Sequence, residues 1–338
     1  MTPAVRARPS RLPHLHNFRG LAIIFIVATH CVSVFDWSDS PVLRDVLGRV
    51  FANGTIFFLF IAGYLFHYLS PGFRTVPYWK KKALNVVLPY CIVSVPAIIL
   101  SMTLMKREGL DPSFYQQPKW QQVLEFLVTG SHMAPFWYIP TIIIFYAVAP
   151  ILLRIFSSDR AYWLLIPIFV VGLSVSRGEN NPILAFVHFL SIWVLGMSCS
   201  NFRERADDLL NRWFWLLPVA VIALFLIAFY TTPGTHTWYS DLQKAFLSLF
   251  FYTLFNRLGT RADRWFALIG SLSFGLFFLH SYVISTGKIM LEFVVGYQPA
   301  GGILSLTIAA IAAVGLTMLA VQAVKRLAGK RSRYLIGV

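Results

Sequence analysis

The sequence predicts an all-α fold, a polytopic membrane bundle of about ten transmembrane helices with both termini cytoplasmic. Of its 338 residues, 57% are hydrophobic and 13% are charged, whereas soluble domains average about 45–50% and about 25%. The apolar residues recur in runs of about 18 or more between Leu21 and Val324, the length that crosses the hydrocarbon core of a bilayer. Continuous runs favour helices over barrel strands, because a helix satisfies its own backbone hydrogen bonds in lipid.

Ten apolar runs are candidate spans, and the fifth and eighth of them are short. The runs are Leu21–Asp36, Val46–Leu69, Ala83–Met105, Tyr138–Ile155, Ala161–Ser176, Pro182–Ser200, Trp213–Tyr230, Leu242–Phe255, Phe266–Leu291 and Gly301–Val324. We therefore expect a basic cytoplasmic tail at 1–20, a transmembrane domain at 21–324 and a second basic cytoplasmic tail at 325–338. In the longest outer loop, an amphipathic stretch near Trp120–Val128 is expected to lie on the membrane surface.

The formal net charge is +15, from 29 Lys and Arg against 14 Asp and Glu. In a soluble protein this balance would suggest a nucleic-acid partner. With the N-terminus inside, however, 21 cations fall on inner segments and eight on outer ones. Basic residues concentrate in the cytoplasmic loops of membrane proteins. The charge therefore predicts two cytoplasmic termini, and no nucleic acid is expected to bind.

Two ionisable residues lie on one face of the first predicted span. Arg19 and His30 are eleven residues apart, which places them within roughly 20° of each other on a helix and about 16 Å apart along its axis. Arg19 would lie at the inner headgroup level and His30 deep in the span, where an imidazole can exchange protons near neutral pH. Structural roles remain open, because Arg19 can anchor the helix at the interface and His30 can hydrogen-bond a neighbouring helix.

Five segments, in order along nearly the whole chain, resemble the membrane-bound acyltransferase-3 family. They are Arg19-Gly20 with His30, Phe58–Leu65, Lys80–Tyr90, Phe136–Pro140 followed by Tyr146 and Pro150, and Phe274–His280. Leu59 and Ala62 depart from the family pattern in the second segment. Asn85 stands where a second arginine often follows the basic cluster, which leaves Lys81 or Lys82 as the surviving cation. The extracytoplasmic hydrolase-like domain of some members has no counterpart, so we expect activity without an attached second transferase.

The resemblance implies an integral-membrane O-acyltransferase in the plasma (inner) membrane. Such an enzyme moves an acyl group, most often acetyl, from acyl-coenzyme A to a hydroxyl of a glycan or another cell-envelope acceptor. The donor, the acceptor and the bilayer are then the expected partners. The oligomeric state is left open. No metal is expected, because the His, Cys and carboxylate residues show no ligand spacing.

Acyl transfer from a thioester needs a base for the hydroxyl proton and donors for the developing oxyanion. His30 is the candidate base or, alternatively, an acyl-accepting nucleophile. His280 is a further catalytic candidate if the ninth span packs against the first, and is otherwise a polar contact between helices. Arg19 is the third catalytic candidate, and the candidates for the donor's phosphates, all basic, are Arg19, Lys81 and Lys82. The candidates for substrate binding are aromatic residues that also suit a membrane interface, namely Trp137, Tyr138 and Tyr146.

Two other functions fit ten spans. A transporter or flippase for a lipid-linked or glycan substrate is the main alternative, although no inverted repeat is visible in the sequence. A non-catalytic membrane partner of a polysaccharide assembly complex is the third. His132 lies in the longest outer loop, where we expect it to be solvated.

Overall fold

The computed structural model describes residues 12–107, 109–231 and 237–338. Within these ranges the protein is 82% helical and has no strands, so the predicted all-α class is confirmed. Three basic residues that the charge count assigned to the inner tail, Arg6, Arg8 and Arg11, lie outside the described residues.

Fifteen α-helices follow one another in the described parts of the chain. They are α1 (Pro13–Cys31), α2 (Pro41–Phe51), α3 (Gly54–Tyr68), α4 (Thr75–Lys82), α5 (Leu88–Thr103), α6 (Lys119–Thr129), α7 (Tyr138–Ile155), α8 (Leu165–Ser174), α9 (Pro182–Asn201), α10 (Arg203–Arg212), α11 (Leu216–Thr231), α12 (Trp238–Leu258), α13 (Asp263–Val295), α14 (Ile303–Ala328) and α15 (Ser332–Ile336). A π-helical turn, Ala83–Val87, joins α4 to α5.

Seven helical segments of the described chain are long and apolar enough to cross a membrane. An eighth is formed if α10 and α11, which are bent by 74°, count as one broken span. The predicted count of ten is not confirmed. The fifth predicted run contains α8, whose ten residues extend only about 15 Å. The eighth predicted run corresponds to α12. This helix is long enough to cross a membrane but carries the charged residues Asp241, Lys244 and Arg257.

Helix α1 begins at Pro13, eight residues before the predicted span, so residues 13–20 belong to the helix. Proline is favoured in the first helical turn, because it has no N–H that needs a partner. The polar residues of this segment concealed its helical pattern, yet they have partners on other helices. Asn17 donates to a carboxylate oxygen of Asp263 at 2.7 Å, and the His16 ring nitrogen lies 2.8 Å from the carbonyl oxygen of Ala267. Tertiary contacts therefore set this boundary.

The bundle has two ends, which we name after the charge prediction. The inner face is the end where α1 and α13 begin, tied together by the contact between Asn17 and Asp263. The outer face is the end where α1 is followed by Asp36, which forms a β-bridge with Ala300 before α14 begins. Helices α1 and α13 therefore run parallel, from the inner face to the outer face. This pair carries most of the candidate site.

Glycines bring the central helices into close backbone contact. A Cβ at Gly63 of α3 would lie 2.1 Å from the carbonyl oxygen of Trp193 in α9. Between α1 and α13, a Cβ at Gly270 would lie 2.4 Å from the carbonyl oxygen of His16. Small residues at such crossings are typical of membrane bundles, whose helices associate through close packing. The crossing of α1 and α13 fixes which side chains of the two helices meet.

We expect Gly63→Val to lower the melting temperature of the purified protein in detergent. The new side chain must displace backbone atoms of α9, and overpacking costs about 1–3 kcal/mol. Gly287→Val is the matched control, because no atom lies within 4 Å of a Cβ at Gly287 and the helix-propensity change is the same. Equal melting temperatures for the two variants would show that the α3–α9 contact does not support the fold.

Candidate active site

The contact between α1 and α13 places His30 against His280. Their ring centroids are 5.3 Å apart, with an angle of 40° between the ring planes. His280 is fully buried, while His30 is half-buried. His30 lies in the last turn of α1, because the α-helix ends at Cys31, five residues before the end of the predicted run.

Two backbone carbonyls fix the imidazole of His280. Its Nδ1 lies 2.9 Å from the oxygens of both Leu276 and Phe277. Carbonyl oxygens only accept, so Nδ1 carries the hydrogen and Nε2 of the neutral ring holds the lone pair. The hydroxyl of Ser281 lies 3.4 Å from Nε2. His280 is therefore a fixed hydrogen-bond acceptor beside His30.

Arg19 reaches from α1 toward the middle of the bundle. Its Nη2 donates to the hydroxyl of Ser273 at 3.2 Å. The neighbouring Gly20 is level with Gly270, because a Cβ at Gly20 would lie 3.4 Å from the Gly270 nitrogen. Ser273 follows Gly270 by three residues in α13, so it lies about 4.5 Å closer to the outer face than Gly270 does. The guanidinium thus points away from the end of the bundle where α1 begins, whereas a snorkelling anchor would point toward that end.

Tyr138 connects the arginine end of α13 with the histidine end. Its ring packs edge-on against Phe277 at 5.5 Å, and Phe277 lies 6.2 Å from the ring of His280. Tyr138 also lies near the guanidinium of Arg19. We call Arg19, Tyr138, His280 and His30 the buried row, of which Arg19 and His30 are half-buried. Ser273 and His280 are seven residues apart, so the row covers about 10 Å between the guanidinium and the histidine pair.

Lys82 and Tyr146 extend the cationic end of the row. The Lys82 Nζ lies 4.1 Å from the centroid of the Tyr146 ring, close enough for a cation–π attraction. Tyr146 lies near the guanidinium of Arg19 as well. Lys82 is half-buried, whereas Lys81 is exposed. Of the two predicted lysines, the structure therefore brings Lys82, and not Lys81, to the site.

The π-helical turn Ala83–Val87 follows Lys82 directly. Such turns add one residue to the helix and occur frequently at functional sites. The extra residue rotates the faces of α4 and α5 relative to each other by about 100°. The Asn85 amide donates to the carbonyl oxygen of Lys81 at 2.7 Å within this turn. Sequence periodicity did not predict which lysine turns inward, because a periodicity argument assumes a regular α-helix of 3.6 residues per turn through the whole segment.

An inner cavity of about 550 Å³ opens beside the arginine end of the row. Its walls include Arg19, His16, Tyr68 and Asp263, together with apolar side chains. Small-molecule sites commonly have volumes of about 300–1,000 Å³ with a few polar groups among apolar walls. Among the described residues, no group of three His, Cys, Asp or Glu side chains could hold a metal ion.

Trp137 lies apart from the buried row, although Tyr138 is its neighbour in sequence. The two rings are perpendicular, with centroids 6.3 Å apart. Trp137 lines an outer cavity of about 400 Å³. Its ring stacks on Phe189 at 5.8 Å and contacts the guanidinium of Arg177 at 4.4 Å. Trp137 therefore belongs to the outer cavity and not to the row that contains Tyr138.

His132 is buried, contrary to the prediction that it is solvated. It is 3% exposed, and its Nδ1 donates to the carbonyl oxygen of Phe126 at 3.0 Å. The aromatic rings of Tyr90 and Phe136 also contact it. His132 thus anchors the loop that leads into Trp137 and Tyr138. Burial, the main cause, lowers the pKa of His132 to about 4.

We expect acid to destabilise this loop. The unfolded chain binds a proton at His132 near pH 6.5, whereas the folded loop binds it only near pH 4. The unfolded state therefore carries more protons between these values, so the free energy of unfolding falls as the pH drops through this window. Melting temperatures of wild type and His132→Gln across the window check this. If the melting temperature of the variant changes with pH as steeply as that of the wild type, His132 does not cause the acid destabilisation. A weaker pH dependence in the variant would support the role of His132.

Together, these features define an integral-membrane helix bundle with a polar, titratable interior, the class that contains membrane-embedded enzymes and transporters. Residues 13–322 match the family model described as an acyltransferase domain. The chain therefore belongs to the acyltransferase-3 family, as the sequence resemblance predicted. Family membership indicates that it is a membrane acyltransferase. No curated protein and no solved structure gave a significant match to the chain.

Proposed function

We propose that this protein is an O-acyltransferase of the plasma (inner) membrane that moves an acetyl group from acetyl-coenzyme A to a hydroxyl of a cell-envelope glycan. The observation that carries the proposal is the buried row, which links Arg19 near the inner face to the pair formed by His30 and His280 near the outer face. Membership of the acyltransferase-3 family supports the reaction class.

The donor would bind from the inner face. Coenzyme A carries several phosphate groups, which guanidinium and ammonium groups bind well. Arg19 lines the inner cavity, and the half-buried Lys82 lies against the ring of Tyr146. With its phosphates held there, the flexible pantetheine arm can place the thioester along the row. The distance of about 10 Å from the guanidinium to the histidines is within its reach.

His30 would then act as the general base. As the acceptor oxygen attacks the thioester carbonyl, its proton passes to the imidazole of His30. The new C–O bond forms, the C–S bond breaks, and the proton is returned to the departing sulfur, which leaves as the thiol. His280, fixed by its two carbonyl contacts, orients His30. Tyr138, whose ring packs against Phe277 beside His280, would donate to the developing oxyanion.

Mass spectrometry of envelope glycans tests the physiological reaction. We expect a strain that lacks the protein to lose acetyl esters from a glycan of its envelope, and the wild-type gene to restore them. His30→Ala, expressed at the same level, should fail to restore them. Identical glycans with and without the protein would contradict the glycan acceptor, and restoration by His30→Ala would contradict the role of His30.

A further inference from the structure

The outer cavity is a second site with its own chemistry. It has a volume of about 400 Å³, and its described walls include Arg107, Arg177, Glu179, Trp137 and Asn180. Hydroxyl and amide groups of neighbouring loop residues also line it. Among the described wall residues, two carry guanidinium groups and one carries a carboxylate. The size fits a sugar residue, and the charge favours an anion.

Arg177 is held in place at this cavity. Its guanidinium carbon lies 4.4 Å from the centroid of the Trp137 ring, and Trp137 is itself stacked on Phe189. A cation–π contact uses the face of the guanidinium and leaves its N–H edge able to donate to an oxyanion. Arg177 is exposed, and this contact restricts its side chain before a ligand arrives, which reduces the entropy lost on binding.

The outer cavity lies beside the buried row. Trp137 lines the cavity, and Tyr138, the next residue, belongs to the row. A ligand held by Arg107 and Arg177 would therefore approach the row from the outer face, whereas the proposed donor path reaches it from the inner face. A transfer between two substrates requires two such approaches.

The rim of the cavity is built from constrained loops. Gly130 ends α6 with φ of +74°, and a Cβ there would lie 2.4 Å from the backbone carbon of Phe136. Asn180 has φ of +54°, and no other residue besides glycine has a positive φ in the described chain. Non-glycine residues in this region are strained and occur often at ligand-binding sites. The rim is therefore a fixed frame around the two arginines.

We infer that the outer cavity binds the anionic group of an acidic saccharide acceptor, through Arg107 and Arg177. The shared chemistry is an oxyanion, either a carboxylate or a phosphate, held by guanidinium forks. The inference rests on the proposed acyltransferase function and adds the substrate class. The sugar hydroxyl near the bound anion would then be the group that His30 deprotonates.

The test uses the purified full-length protein in nanodiscs with labelled acetyl-coenzyme A. The acceptors are methyl glucuronide, glucose 1-phosphate and methyl glucoside, which carry a carboxylate, a phosphate and no charge. We expect kcat/KM for at least one anionic acceptor to exceed that of the glucoside by about tenfold to a hundredfold, as charge-assisted hydrogen bonds allow. Arg177→Gln should remove this preference, and Arg177→Lys should keep part of it.

Arg44→Gln is the matched control, because Arg44 is an exposed arginine of α2 outside the cavity walls. It should retain the preference for anionic acceptors. Equal kcat/KM for all three acceptors would overturn the inference while leaving acyl transfer intact. Calorimetric titration with methyl glucuronide and glucose 1-phosphate measures anion binding independently of turnover. Binding of neither by wild type, or undiminished binding by folded Arg177→Gln, would also overturn it.

Discussion

Replacing His30 by alanine should lower acyl transfer by about 10²–10⁴-fold, the range in which a positioned base contributes to catalysis. The variant should bind the donor normally, because the imidazole lies about 10 Å from the guanidinium that would hold the phosphates. His280 is assigned the positioning role, because its Nδ1 is engaged with two carbonyl oxygens inside α13. Release of the coenzyme A thiol and label in the acceptor are the two readouts.

His67→Gln is the control for this prediction. His67 is a histidine of α3 whose Nδ1 lies 3.0 Å from the hydroxyl of Ser200, outside the buried row. It should transfer acetyl at nearly the wild-type rate. The melting temperature of His30→Ala must match that of the wild type for the comparison to count. A folded His30→Ala protein with undiminished transfer would exclude His30 as base or acyl carrier.

Replacing Arg19 by alanine should raise the KM for acetyl-coenzyme A by about tenfold to a hundredfold. The guanidinium would make charge-assisted hydrogen bonds to phosphate, each worth about 1.5–3 kcal/mol. Turnover at saturating donor should change less, because Arg19 does not touch the reacting atoms in the proposed path. Arg19→Lys should recover part of the loss, since an ammonium keeps the charge but not the planar fork.

Lys80→Ala is the control for the donor site. Lys80 belongs to the same basic cluster but is exposed, so its loss should leave the donor KM unchanged. The comparison separates a specific donor contact from a general effect of positive charge at the inner face. An unchanged KM in Arg19→Ala would remove Arg19 from the site. It would return Arg19 to a structural role through its hydrogen bond to Ser273.

The sequence predicted which residues form the buried row better than where those residues lie along their helices. The spacing of Arg19 and His30 depends only on helix geometry, so their shared face could be derived. The family resemblance added His280, and the structure supplied the contact between His280 and His30. The start of α1 was misjudged, because its polar first turns are stabilised by contacts such as Asn17 with Asp263.

Other features depend on backbone details that periodicity does not contain. The π-helical turn after Lys82 changes the helical phase, so the inward lysine could not be chosen from the basic run. Trp137 and Tyr138 are adjacent, yet the break before α7 sends one ring to the outer cavity and the other to the row. Arg177 was counted only as an outer cation, because its partner Trp137 is forty residues away.

The central claim is that this bundle transfers an acyl group from a coenzyme A thioester to a sugar hydroxyl. The most direct test incubates the purified wild-type protein in nanodiscs, with both faces accessible, with labelled acetyl-coenzyme A and methyl glucuronide. We predict that label appears in the sugar as an alkali-labile ester, in an amount equal to the thiol released. Thiol release and ester formation no greater than in protein-free nanodiscs would contradict the claim.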